Sequence, residues 1–348
     1  MVEVKIRTQK REGNRVILEV EEEYSRFEEA AEKALVEVGK EIKLPGFRPG
    51  KAPREMIERA VNREAVEHRA EQNLISEIYP EIIDVARLEP VDYPNVEILQ
   101  QEKEKAFIFK LSVDVYPLVK LGRYKGLRVE KKSTEVTGEE IVKILGNLQE
   151  RFAVTNAEGK KELLPLDDEF AKKVSRFGTL AELKEEVREA LQKEKMAEAE
   201  ADVKNKLIAA ASAEAQVEIP PAMVEREIGV MLDELRTSLA QSGLTLEDYL
   251  RGAKKEEKSL RDEMRKSAEI RVKGKVVLKA VAEAEQMKIT PEEVQAELKS
   301  LAESSEQKPE ELEKNLGEGG RKYIEDYLLR KKALDFLAEK ASIREVKT

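Results

Sequence analysis

The stretch Gly46-Phe47-Arg48-Pro49-Gly50-Lys51-Ala52-Pro53 decides how the first third of the chain is read. Five of the nine positions from Pro45 to Pro53 are Pro or Gly, residues that neither a helix interior nor a sheet ladder accommodates well. Helical sequence flanks the stretch on both sides, so it is a loop tip between helices. Phe47 and Arg48 stand at its apex, with Lys43, Lys51 and Arg54 close by. Aromatic and Arg side chains are enriched at binding hot spots, and proline lowers the entropy lost when a loop docks. Two readings fit these residues: a docking tip, or a helix connector whose Phe47 packs into its own core.

Upstream of the tip, Tyr24, Phe27, Ala31 and Leu35 recur at helical spacing until Gly39. Before them Val2, Val4 and Ile6 alternate with charged residues, Glu12-Gly13-Asn14 turns the chain, and Val16, Leu18 and Val20 alternate again. That is a period-2 hairpin. Downstream, one helix is expected from about Pro53 to Arg87, closed by Pro90 and Pro94. Phe107, Phe109, Leu111, Val113 and Val115 then share one face of a strand, with Lys110, Ser112 and Asp114 on the other. Helices held on one face of an antiparallel sheet bury all these stripes, so the N-terminal domain is α+β.

Residues 117–165 connect this domain to the remainder. Leu127 to Glu130 reads as a strand, and Thr137 to Glu140 as a capping box opening a helix. Thr155 to Lys161 is short, polar and turn-like. From Leu166 onward the chain is mainly α-helical. Thr179, Thr245 and Thr290 open helices, and Pro220-Pro221 opens another that carries Met223, Val224, Ile228, Met231, Leu235 and Leu239. Such a stripe is either core between paired helices or an uncovered surface for an apolar partner. Ser342 to Lys347 reads as a final short strand. The expected domain boundaries are therefore 1–116, 117–165 and 166–348.

Composition agrees with long solvated helices: of 348 residues 39% are charged, only 5% are aromatic, and Trp is absent. The net charge of −9 argues against nucleic-acid binding by the molecule as a whole. Around the tip the balance reverses, with six Lys or Arg against three Glu from Glu41 to Arg63. With no Cys and one His, there is no disulfide framework, Cys nucleophile or Cys/His zinc cluster. No apolar run of about 18 residues occurs, so no membrane span is expected and the chain reads as cytoplasmic. There is no phosphate-binding G-x-x-x-x-G-K-[ST] loop, so nucleotide chemistry and cofactors are not expected. His68 reads as a surface histidine rather than a metal ligand. Asp167-Asp168-Glu169 reads as dipole partners of a helix rather than a cation site.

The spacing G-F-R-x-G-x-x-P resembles the ribosome-docking signature of bacterial trigger factor, and Gly46, Phe47, Arg48, Gly50 and Pro53 fill all five fixed positions. Leu166 to Lys172, with Thr179-Leu180, is similar to the start of that family's C-terminal helical domain. Ile219-Pro220-Pro221-Ala222-Met223-Val224 resembles its internal helix junction. The resemblance covers nearly the whole chain and implies an elongated, multi-armed helical domain behind the α+β domain. It implies an ATP-independent chaperone that docks at the ribosomal tunnel exit and holds nascent or unfolded polypeptides. Ribosome contacts would come from Gly46, Phe47, Arg48, Pro49, Gly50, Lys51 and Pro53, with Lys43 and Arg54, on a ribosomal protein and rRNA. Clients would lie along Met223, Val224, Ile228, Met231, Leu235 and Leu239, where a second copy of the chain could also bind as a homodimer.

One departure from the family pattern stands out. Trigger factors usually carry an FKBP-like prolyl isomerase domain between linker and helical domain. Here only residues 153–165 separate Phe152 from Leu166, against roughly 50 residues for a small domain. The chain is thus expected to lack that domain and not to be an enzyme. The alternatives are a peptidyl-prolyl isomerase, as the family label suggests, and an RNA-binding ribosome factor using Lys43, Arg48, Lys51, Arg54 and Arg59 on phosphates.

Overall fold

The computed structural model describes residues 4–42, 47, 53–155 and 161–346. They form two compact units, each built from two stretches of chain: 1–120 with 217–273, and 121–216 with 274–348. This division by compactness differs in kind from the succession 1–116, 117–165 and 166–348 along the sequence.

In the first unit, β1 (Lys5–Glu12), β2 (Arg15–Glu22), β3 (Asn95–Gln100) and β4 (Phe107–Asp114) form an antiparallel sheet in the order β1-β2-β4-β3. Period-2 alternation puts Val16, Leu18, Val20, Phe107, Phe109, Leu111 and Val113 on one face, all buried. Against them pack α1 (Tyr24–Glu41) and α3 (Arg63–Ala86) through Phe27, Ala30, Ala34, Ala70, Leu74, Ile78 and Ile82. Phe27 stacks on Phe107 with ring centroids 5.0 Å apart. Each such large side chain contributes roughly 1.5–3 kcal/mol by leaving water, which is what holds helices to sheet. The opposite face is charged and cross-paired, for example Arg15 to Asp114 at 2.8 Å and Lys110 to Glu97 at 3.1 Å.

The single helix expected from Pro53 to Arg87 is instead two, α2 (Arg54–Ala60) and α3. Val61 and Asn62 are extended between them, and the Asn62 side chain accepts a hydrogen bond from Glu64 N. A short polar side chain that caps the second helix competes with helix continuation at its own position.

The unit's second stretch holds α7 (Pro221–Gln241), α8 (Leu246–Ala253) and the first part of α9 (Glu257–Ala284). Val224, Ile228 and Leu232 of α7 interlock with Leu246, Leu260 and Ala268. Ion pairs line the seam: Glu225 with Arg261 and Arg265 at 3.1 and 2.6 Å, and Glu234 with Arg271 at 2.8 Å. This stretch is tied to the sheet domain by polar bonds. Asn14 donates from Nδ2 to Glu218 O at 2.6 Å, and Arg226 donates to Val91 O at 2.8 Å.

The second unit begins with β5 (Arg128–Lys132) and α4 (Gly138–Arg151), followed by the short β6 (Val154–Thr155) and β7 (Lys161–Glu162). Next come α5 (Asp168–Val174) and the long α6 (Leu180–Glu214). Ile141, Leu145, Phe170, Ala171 and Leu183 form the core where α4, α5 and α6 meet. The end of α9, α10 (Pro291–Ser304) and α11 (Pro309–Lys340) complete the helices, with α11 kinked where Gly317 takes φ 60°. The final strand β8 (Ser342–Val346) pairs with β5 in parallel, a register that joins residues more than two hundred apart in sequence. Among the described residues no helix is long and apolar enough to cross a membrane.

Candidate functional site

α1 ends at Glu41, where Ile42 turns extended, and α2 starts after Pro53, whose carbonyl accepts from Met56 N and Ile57 N at 3.0 and 3.2 Å. The tip lies between those ends. Lys43, Gly46, Arg48, Pro49, Gly50 and Lys51 fall outside the described residues. Phe47 is described, at a bend and 39% exposed. The connector reading, in which this ring packs into its own core, is therefore not what the fold shows. An exposed aromatic ring is compatible with the docking reading, aromatic side chains being enriched at binding hot spots.

Pro53 and Arg54 are both exposed at the downstream end of the tip. Arg54 is less available than its sequence position implies. Its guanidinium donates from Nε to Glu58 at 2.7 Å and from Nη2 to Glu32 on α1 at 3.2 Å. Those two carboxylates, Glu58 first, raise its pKa further above the ordinary guanidinium value. Met56, an exposed apolar side chain on α2, lies beside the tip in sequence and escaped the sequence reading.

The α7 stripe divides. Val224 and Ile228 are 4% and 0% exposed and belong to the core with α8 and α9. Met223, Met231, Leu235 and Leu239 are half-buried along its margin. Leu232, fully in the core, was absent from the stripe as read from sequence.

Two other motifs resolve as local structure. His68 is exposed, its Nδ1 3.5 Å from Glu71 and its Nε2 3.2 Å from the Gln72 amide. Asp167 caps α5 by accepting from Phe170 N at 2.9 Å, and Asp168 accepts from Leu180 N at 2.7 Å. Both acidic side chains thus satisfy helix-terminal N–H groups. Among the described residues no group of three or more His, Asp or Glu is arranged to hold a metal ion.

The architecture is that of a known chaperone fold. A solved structure of the trigger factor chaperone, reported for its promiscuous substrate recognition in folding and assembly, superposes over 97% of this chain and 99% of its own. The TM-score is 0.52 at 19% identity, which establishes the fold alone.

Sequence comparison is more specific. The bacterial trigger factor family model matches residues 4–148, and that of its C-terminus matches 179–339. The trigger factor of Desulforamulus reducens is 33% identical over 422 aligned positions, covering 96% of this chain and 97% of the relative. That of Bacillus subtilis is 31% identical, covering 96% and 99%. The chain belongs to the bacterial trigger factor family, the ribosome-associated chaperones, and lacks that family's middle prolyl isomerase region. Only residues 149–178 lie between the matched spans. Correspondingly, an alignment of 422 positions against 348 residues leaves at least 74 (422 less 348) opposite gaps in this chain.

Proposed function

We propose that the chain docks at the ribosomal tunnel exit through the tip around Phe47 and holds nascent or unfolded polypeptide on its helical region, in the cytoplasm and without ATP or another cofactor. The exposed Phe47 ring between two helix ends is the observation that carries this reading. Phe47 would fill an apolar recess on a ribosomal protein, and Arg48 would bind a carboxylate or rRNA phosphate. Gly46 and Gly50 would allow the backbone turn, with Lys43, Pro49, Lys51, Pro53 and Arg54 around them. The positive balance from Glu41 to Arg63, on a chain of net charge −9, favours approach to an RNA-rich surface without general nucleic-acid binding.

Residues 1–116 would serve as the docking module, 117–165 as the junction at the site of the missing domain, and 166–348 as the client-binding region. Met223, Met231, Leu235 and Leu239 offer apolar area on the margin of α7, supported from below by Val224 and Ile228. Each contact is weak, since burial contributes roughly 25 cal/mol per Å² before association costs. Several such patches along one client add up through effective concentration. Methionine adapts to varied partners, and a second copy of the chain could use the same margin. Release follows when the client buries its own apolar surface, so no energy source is required.

Co-sedimentation with ribosomes tests this. Phe47→Ala, Arg48→Ala, Lys51→Ala in one variant should abolish sedimentation while leaving the holding of an unfolded client in free solution intact. Normal sedimentation of that variant would overturn the docking assignment. We also infer that the chain does not catalyse prolyl isomerisation. An assay on a proline peptide should give the uncatalysed rate, and clear turnover would restore the enzyme reading.

A further inference from the structure

Gly39 is buried in the last turn of α1. A Cβ built there would stand 2.7 Å from Cγ2 of Ile57, closer than real Cβ atoms come, and a tight 3.1 Å from its Cδ1. A glycine inside a helix is disfavoured relative to alanine, so its place here is accounted for by what it admits: the Ile57 side chain seated on the α1 backbone. Ile57 is the one side chain of α2 that is not exposed. A second tie joins the same two helices, Arg54 Nη2 to Glu32 Oε1 at 3.2 Å. Glu32 and Gly39 are seven residues apart and so share a face of α1. Arg54 and Ile57 are three apart and share a face of α2.

α1 leads into the tip and α2 leads out of it, so whatever fixes α2 on α1 fixes the two ends of the segment that carries Phe47. We infer that Gly39, Ile57, Glu32 and Arg54 form a clip that pins α2 to α1 and so fixes the two ends of the segment that carries Phe47, which makes Arg54 a positioning residue rather than a ribosome contact. The inference rests on the docking reading above. Its chemistry is preorganisation: a tip whose ends are already set loses less freedom on docking. The Arg54 charge is matched by two carboxylates. Two of its N–H donors, on Nε and Nη2, are already given to Glu58 and Glu32, and the positioning role uses those bonds as they stand.

The test is ribosome affinity of the full-length chain, measured beside thermal unfolding and client holding. Gly39→Ala should weaken ribosome binding about tenfold through lost preorganisation, without lowering the unfolding temperature, because alanine favours the helix. Ile57→Ala in the Gly39→Ala background removes the colliding methyl groups and should recover part of the affinity, through the remaining Arg54–Glu32 tie. Glu32→Arg and Arg54→Glu should each weaken binding about threefold, and combining them should recover part of it, since the exchanged pair is restored while Glu58 still faces the new carboxylate. Wild-type affinity in Gly39→Ala, or a double variant no tighter than Gly39→Ala alone, overturns the clip. A charge swap no tighter than Arg54→Glu alone overturns Arg54's positioning role. Phe47→Ala separates the two levels. If it binds ribosomes normally, the docking reading itself fails; if it loses binding while the clip variants do not, only the clip falls.

Discussion

Phe47 at the tip and Ile228 on α7 are apolar side chains of similar size in opposite settings: one is 39% exposed, the other 0%. What separates them is the rest of the sequence. The α7 stripe repeats at helical spacing, and Leu246, Leu260 and Ala268 supply a matching face for it. A Pro- and Gly-rich loop has no periodic face to offer, and Phe47 stays 39% exposed. An apolar residue therefore becomes core when a complementary stripe exists elsewhere in the chain, and becomes a candidate contact when none does.

Substitution at Ile228 should break this contrast most forcefully. Ile228→Ala should cost about 2–5 kcal/mol in denaturant unfolding, as expected for a large-to-small change in a packed core. Phe47→Ala should change stability by less than about 0.5 kcal/mol. If Ile228→Ala instead left stability untouched and weakened client holding, the stripe would be surface and the contrast would be wrong.

Buried charge sharpens the comparison at a smaller scale. Glu22 sits at the end of β2 with its side chain 1% exposed. Its Oε2 accepts from Arg26 Nη1 at 3.2 Å, and its Oε1 has no hydrogen-bond partner. Burial pushes its carboxyl above the usual carboxylate range, outweighing the Arg26 charge, and Glu81 pushes the same way. A carboxyl raised in the folded state favours folding below its unfolded value, and that advantage is lost as pH rises through the folded value. Glu22→Gln should consequently raise stability at pH 7 by about 1 kcal/mol, in line with replacement of a poorly compensated buried charge. A loss of stability on the same change would show that the Arg26 pairing outweighs burial.

Glu140 in the second unit is the counterpart with every partner in place, and its effect should be the smallest. Lys195 Nζ at 2.7 Å and the Thr137 N–H at 2.9 Å hold its pKa down to about 2 from the ordinary 4.5. A depressed carboxyl stabilises the fold above its unfolded value, and that contribution disappears as pH falls from about 4.5 towards 2. NMR titration of Glu140 should show the low value in the wild type and a return towards 4.5 in Lys195→Met. An unchanged titration would remove Lys195 as the cause.

The helix starts were legible because their signals are local. Thr137, Thr179, Thr245 and Thr290 each open a helix with a complete capping box, formed within four residues of chain. The hairpin of β1 and β2 and the apolar face of β4 were legible for the same reason, since alternation is a short-range pattern. The break between α2 and α3 was written in Asn62 but was outweighed by the helical periodicity on either side. Glu32 as the partner of Arg54 was not legible, because the pair is 22 residues apart and joins two different helices.

By itself the sequence determined the element types, their caps, the residue chemistry of the tip and the lack of room for a middle domain. These depend on backbone preference, side-chain period and chain length, which act over a few residues or need only counting. The tertiary structure alone decided the sheet order β1-β2-β4-β3, the parallel pairing of β5 with β8 and the grouping of 217–273 with the first 120 residues. It also divided the α7 stripe into core and margin and seated Ile57 on Gly39. Each of these is a contact between stretches far apart in the chain, chosen by which apolar faces and polar groups complete one another in space.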